Sequence, residues 1–448
     1  MPKNNILSLL IVLFAFGNAT YAQEKRQEKQ TREQGHLSQD KFRQLYDEFA
    51  TPNVYRTASG APGHAYYQNT ADYDMDVRLD DKNATINGVE TITYTNNSPD
   101  DLTYLWVQLD QNIRERDSQA NEHNESNFAP VSPAKSFVSK HMTQDFDGGF
   151  NIEEVKHNGE DLEHTTNFTM MRVELPQALK SGESFVFSIK WNYNIVDYAA
   201  KSDRSGYEYF KEDDNRTYVI AQFFPRMAVY NDKEGWQNYQ FWGDGEYALP
   251  FGTYNVRITV PSDHVLDATG KLQNRKKVFS NKMMKRYEEA KKSYDKPVVI
   301  VTEEEAREAE KGYTSRTKTW EFKAQNVRDF AFATSRKFIW DMMRVKVGDQ
   351  DVMAVSLYPK EGNPLWEEWS TLTVASTLKS YSNYTFEYPY HKAISVHAKN
   401  QGMEYPMICW NHGRPDEEGF VSDRTKFGMI SVIIHEVGHN FFPMIVNT

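Results

Sequence analysis

The sequence predicts a multidomain chain in which an N-terminal antiparallel β domain, a sandwich or saddle-shaped sheet, precedes the start of an α+β domain. Three observations carry this reading. Apolar and polar residues alternate with a period of two across much of residues 66–270, as half-buried strands require. After Pro364 the spacing turns helical, with Leu365, Trp366, Trp369, Leu372 and Val374 on a helical repeat. Close to the end, Phe427 to Phe442 reads as one helix, apolar enough at Met429, Ile430, Val432, Ile433 and Ile434 to lie in a core.

Taken in order, residues 1–22 read as a secretory signal. Lys3 supplies positive charge, Ile6 to Phe16 is an apolar run too short to span a bilayer, and Thr20-Tyr21-Ala22 offers a cleavage site before Gln23. Export to the periplasm or the exterior is expected, with no transmembrane segment in the mature chain. Residues 23–60 read as a charged linker, solvated over Gln23 to Gln34, with a short helix over Asp40 to Phe49.

The β domain is placed at 61–359. Its clearest strands hold Tyr73, Met75, Val77 and Leu79, then Phe185, Phe187, Ile189, Trp191 and Tyr193, then Tyr254, Val256, Ile258 and Val260. Asn96-Asn97-Ser98-Pro99-Asp100 reads as a turn. Residues 271 to about 312, dense in Lys, Arg and Glu and broken at Pro297, read as a solvated helical insertion. Strand character returns near Thr319 to Phe332 and Val352 to Tyr358, and the second domain is placed at 360–448.

Composition excludes some classes. A formal net charge of −11 argues against a nucleic-acid partner held by its phosphates. Cys409 is the only cysteine, so no internal disulfide forms and no cysteine in the signal region accepts a lipid; Cys409 itself reads as a small buried hydrophobe.

The chemistry is concentrated in His435-Glu436-Val437-Gly438-His439. Histidines four apart on a helix share a face one turn apart, so His435 and His439 suit one Zn²⁺. Glu436, next to the first, is placed to take a proton from a water that such a metal polarises. A catalytic zinc needs a third protein ligand. The metzincin pattern would require Gly at 442 and His at 445, where this chain has Phe442 and Ile445. In the gluzincin arrangement the third ligand is a Glu about one helix further on. The nine residues after His439 contain no Asp, Glu or His. The expectation is therefore a C-terminally truncated piece of a longer protein, with the third ligand beyond Thr448 and little activity of its own. His391, His397 and Asp416 are the upstream alternatives.

Gly402-Met403-Glu404-Tyr405-Pro406, about thirty residues before the histidine pair, makes the chain resemble the aminopeptidase N family of gluzincin metallopeptidases. Gln401 stands where that family often has Gly, and Tyr405 where it often has Asn. The resemblance extends over Ala221-Gln222-Phe223-Phe224-Pro225-Arg226, Gly235-Trp236, Glu246 and Phe251-Gly252-Thr253-Tyr254, and covers most of the chain from about residue 65. It implies a thermolysin-like catalytic domain, one Zn²⁺ and peptide substrates. It implies that Glu404, on an edge strand with Gly402 and Met403, binds the substrate's free α-amino group. It also implies a third ligand, an oxyanion-stabilising tyrosine and a helical domain after residue 448. A zinc endopeptidase of the same fold, and an inactive binding or scaffold module, are the competing readings.

Overall fold

The computed structural model describes residues 52–120, 131, 133–138, 146–201, 203–243 and 248–445. The signal region and the expected helix over Asp40 to Phe49 lie outside the described residues, as does Glu246. Two compact units divide the chain, Met1–Tyr66 and Tyr67–Thr448. In the first, Asn53 caps a turn by accepting from the amides of Tyr55 and Arg56.

The second unit begins as β-sheet, as the alternation requires. Its largest sheet has eight strands. Thr70–Asp80, Thr85–Thr95, Ser184–Asn194 and Gly252–Pro261 form its centre, and each buries every second residue. Neighbours pair antiparallel except Thr70–Asp80 with Gly252–Pro261, which run parallel with Tyr73 opposite Tyr254. The buried stripe supplies Met75, Ile86, Ile92, Ile189, Trp191 and Ile258 to the core, each contributing about 1.5–3 kcal/mol by leaving water. Trp191 lies across Gly88, where a Cβ would come within 2.2 Å of the indole. Two four-stranded sheets and a two-stranded one are also found among the described residues.

A six-stranded sheet follows, with strands β1 (Val298–Val301), β2 (Ile339–Val347), β3 (Gln350–Tyr358), β4 (Lys392–His397), β5 (Gly402–Tyr405) and β6 (Ile408–Asn411). Its spatial order is β1-β2-β3-β4-β6-β5, which leaves β5 at an edge. The β3–β4 and β4–β6 pairs are parallel and the others antiparallel. Helix α1 (Leu365–Tyr384) is the crossover between β3 and β4, and α2 (Asp423–Gly438) packs on α1 and on β6.

Three expectations are corrected here. The change of period near residue 360 marks a switch from strand to helix within one sheet, because β3 before it pairs with β4 after it. Residues 271–312 do contain helices, at Asn281–Ala290 and Glu303–Ala309, but four consecutive β-branched residues after Pro297 form β1 and pair with β2. The last helix starts at Asp423 rather than Phe427, because Ser422 caps it by accepting from the Thr425 amide at 3.0 Å. It ends at Gly438, with His439 as its C-cap. It is also one-sided: Met429, Ile433 and Val437 are buried at four-residue spacing while Phe427 and Ile434 are exposed.

Candidate metal centre and edge-strand site

Helix α2 presents His435 exposed and His439 half-buried, one turn apart. Their Nε2 atoms are 3.0 Å apart. Two nitrogens each about 2.0–2.1 Å from one ion at a tetrahedral angle would lie about 3.3 Å apart, so the pair is close to a ligand geometry. The tautomer fits as well. His439 Nδ1 is 2.9 Å from the Phe442 carbonyl oxygen, which can only accept, so Nδ1 carries the proton and the Nε2 lone pair faces His435. An oxygen of Glu436 joins the two nitrogens in one group whose donor atoms all lie within 4.8 Å of one another.

Glu436 is buried, only 5% exposed, and its position is set by the edge strand. Gly402, the first residue of β5, faces it so closely that a Cβ would meet Glu436 Oε1 at 2.6 Å and Val432 Cγ2 at 3.1 Å. Only glycine lets β5 and α2 approach this far. Gly438 does the same on the other side of the helix, where a Cβ would meet Tyr381 Oη of α1 at 2.6 Å.

Strand alternation places Gly402 and Glu404 on one face of β5, and Met403 and Tyr405 on the other. Cross-strand partners share a face, so Cys409, opposite Glu404, lies on the side turned to α2. Burial pushes the Cys409 thiol up, and the carboxylates of Glu436 and Glu404 near it add to the effect. Glu404 and Glu436 thus converge on one side of the hairpin. Glu404 is 5% exposed. Met403 points away from this side and packs in the core with Tyr405, whose ring stacks 6.0 Å from Trp410.

The converging group contains none of the upstream ligand alternatives. His397 is buried with its ring edge against Trp366, and burial holds it well below its ordinary pKa. His391 precedes the opposite end of β4, and burial pushes it down to about 3. Asp416 accepts from the Phe420 amide in a surface turn.

Asn440 is a positioning residue that the sequence reading missed. Its buried Oδ1 accepts from the Met407 amide at 2.6 Å and the Tyr388 hydroxyl at 3.2 Å. It thereby ties the end of α2 to the turn of the β5–β6 hairpin. Thr269 holds the same turn by donating to the Pro406 carbonyl at 2.8 Å. The only cue was a polar side chain directly after His439 in an apolar tail. Arg226, at the end of the Ala221 stretch, is also positional. It pairs with Asp110 at 2.7 Å and with Asp329, all three buried, and its charge reaches Tyr405.

No family model matches the sequence, and no curated protein matches it. Similar solved structures are M1 zinc metallopeptidases. One is a mutant of the enzyme from Deinococcus radiodurans, 12% identical, covering 86% of this chain and 67% of that one at a TM-score of 0.49. Another is the M1 zinc metallopeptidase from Deinococcus radiodurans, 13% identical over the same shares at 0.48. A third is a two-domain M1 zinc metallopeptidase mutant bound to L-arginine, 13% identical, covering 85% and 66% at 0.48.

Proposed function

We propose that the chain is the substrate- and metal-binding part of an exported zinc metallopeptidase that removes N-terminal residues from peptides, with a thermolysin-like catalytic domain. The observation that carries this is the convergence of the His435 and His439 Nε2 atoms beside a Glu436 pinned by Gly402. His435 and His439 hold the metal as neutral imidazoles, and the Phe442 carbonyl fixes the His439 tautomer. A zinc ion held by these residues would supply Lewis acidity. Glu436 accepts the proton of the attacking water and returns it to the leaving amine; burial against β5 keeps its carboxylate aimed. Glu404, on the same side of the hairpin, receives the substrate's α-ammonium by a charge-assisted hydrogen bond and fixes the cut one residue from the N-terminus. Export rests on the sequence of residues 1–22.

The test, on the peptidase with a third zinc ligand in place, compares peptides of one sequence with free and acetylated N-termini. Cleavage of the free-amine peptide alone is expected, and Glu404→Ala should raise its KM. Equal cleavage of both peptides, unchanged in Glu404→Ala, would assign the site to an endopeptidase.

A further inference from the structure

A cavity of about 60 Å³ lies away from the histidine pair. Lys392, the first residue of β4, lines it, whereas the last residue of that strand, His397, lies beside the Gly402 end of the sheet. The two ends of this six-residue strand lie roughly 17 Å apart.

The cavity has two chemical ends. Leu266, Phe279, Met342 and Met353 make apolar walls. Lys271, Arg275 and Lys392 make the other end basic. Lys392 is neutralised by Asp267, 2.5 Å away. Among the described residues, Asp267 is the one carboxylate lining the cavity, so a single negative charge stands against the three cations Lys271, Arg275 and Lys392. Arg275 is held in place by stacking 4.1 Å over the Tyr287 ring. Its Nε, and the Nε1 of Trp340, are buried N–H donors without a hydrogen-bond acceptor among the described residues. Trp340 is 3% exposed and lines the same cavity. A buried N–H left unmade costs about 1–3 kcal/mol, which an acceptor entering the cavity would recover. The neutral state of His391 in the wall reports the same field: after burial, Lys392, Lys271 and Arg275 push its pKa down.

We propose that this cavity is a binding site for a small monocarboxylate, with the carboxylate on Arg275, Lys271 and the Trp340 N–H and the alkyl part against Phe279 and Leu266. Size sets the ligand. A water needs roughly 10–15 Å³ of such space, so the cavity takes about four to six non-hydrogen atoms, the size of butyrate. The charge excludes cations, and the apolar walls favour an alkyl acid over inorganic phosphate.

Calorimetric titration of the 448-residue protein with butyrate, inorganic phosphate and butylammonium tests this. Butyrate should saturate one site with an affinity of about 1 mM or tighter, as small ligands reach. Phosphate and butylammonium should bind about tenfold more weakly or not at all. Arg275→Leu should weaken butyrate about tenfold or more, and Lys271→Gln by a smaller factor. Lys271 is exposed, so its variant folds, and circular dichroism checks the Arg275 variant. Absence of butyrate saturation, equal binding of phosphate, or an affinity unchanged in Lys271→Gln would each overturn the proposal. His435→Ala should leave butyrate binding unchanged, and loss of binding in that variant would also overturn it.

Discussion

The two faces of the β5–β6 hairpin are built from neighbouring residues and are handled in opposite ways. On the face carrying Met403, Tyr405 and Trp410, everything is closed: the rings stack, and the charge nearby is the triad of Arg226 between Asp110 and Asp329, compensated inside the protein. On the face carrying Gly402 and Glu404, two carboxylates are gathered beside an exposed and a half-exposed imidazole. The difference teaches that burial of charge alone does not mark a functional site. On the closed face the charges neutralise one another; on the other face they lie beside two imidazoles whose Nε2 atoms are 3.0 Å apart.

Substitutions on the two faces should therefore separate activity from stability. The largest effect is expected for Glu436→Gln, which in the peptidase with a third zinc ligand in place should lower kcat by about 10²–10⁴-fold while the urea midpoint hardly moves. Arg226→Met should do the reverse. Leaving Asp110 and Asp329 buried without their cation should cost about 3–5 kcal/mol, read from denaturant unfolding, and adding Asp110→Leu and Asp329→Leu should recover part of it. Gly402→Ala sharpens the boundary between the faces. The new methyl must displace Glu436 Oε1 from 2.6 Å, and kcat should fall by up to about 100-fold with KM little changed. Asn440→Ala removes the tie between α2 and the hairpin turn and should cost about 1–3 kcal/mol.

A further expected effect is on pH dependence. Asp341 in β2 is pushed up to about 7 by burial, while Thr371 and Tyr358 donate to it. Its ordinary value is 3.8, so between these values the folded state holds a proton the unfolded state has released. The stability from this group is complete below about pH 4 and is lost as pH rises through 7. Asp341→Asn should flatten the fall in urea midpoint between about pH 5 and pH 8; a slope identical to that of the parent would contradict the assignment.

Much of this was legible in the sequence, for physical reasons that differ by region. The central strands were legible because one face is wet, so Tyr73, Met75 and Val77 alternate with charges. The strands of the second sheet were harder. β2 and β4 are buried on both faces, so their period is hidden, and Val298–Val301 sits inside a charged stretch that masks it. The grouping of His435, Glu436 and His439 was legible because histidines four residues apart on a helix share a face one turn apart. The roles of Gly402 and Gly438 toward Glu436 and Tyr381 were not, since a close approach between elements distant in sequence leaves only an unremarkable glycine.

Zinc binding tests the central claim most directly. Equilibrium dialysis of the 448-residue chain should find weak zinc binding at a single site, as two protein ligands allow, unchanged in Glu436→Gln and lost in His435→Ala and in His439→Ala. Stoichiometric zinc retained by the double variant lacking both histidines would contradict the account.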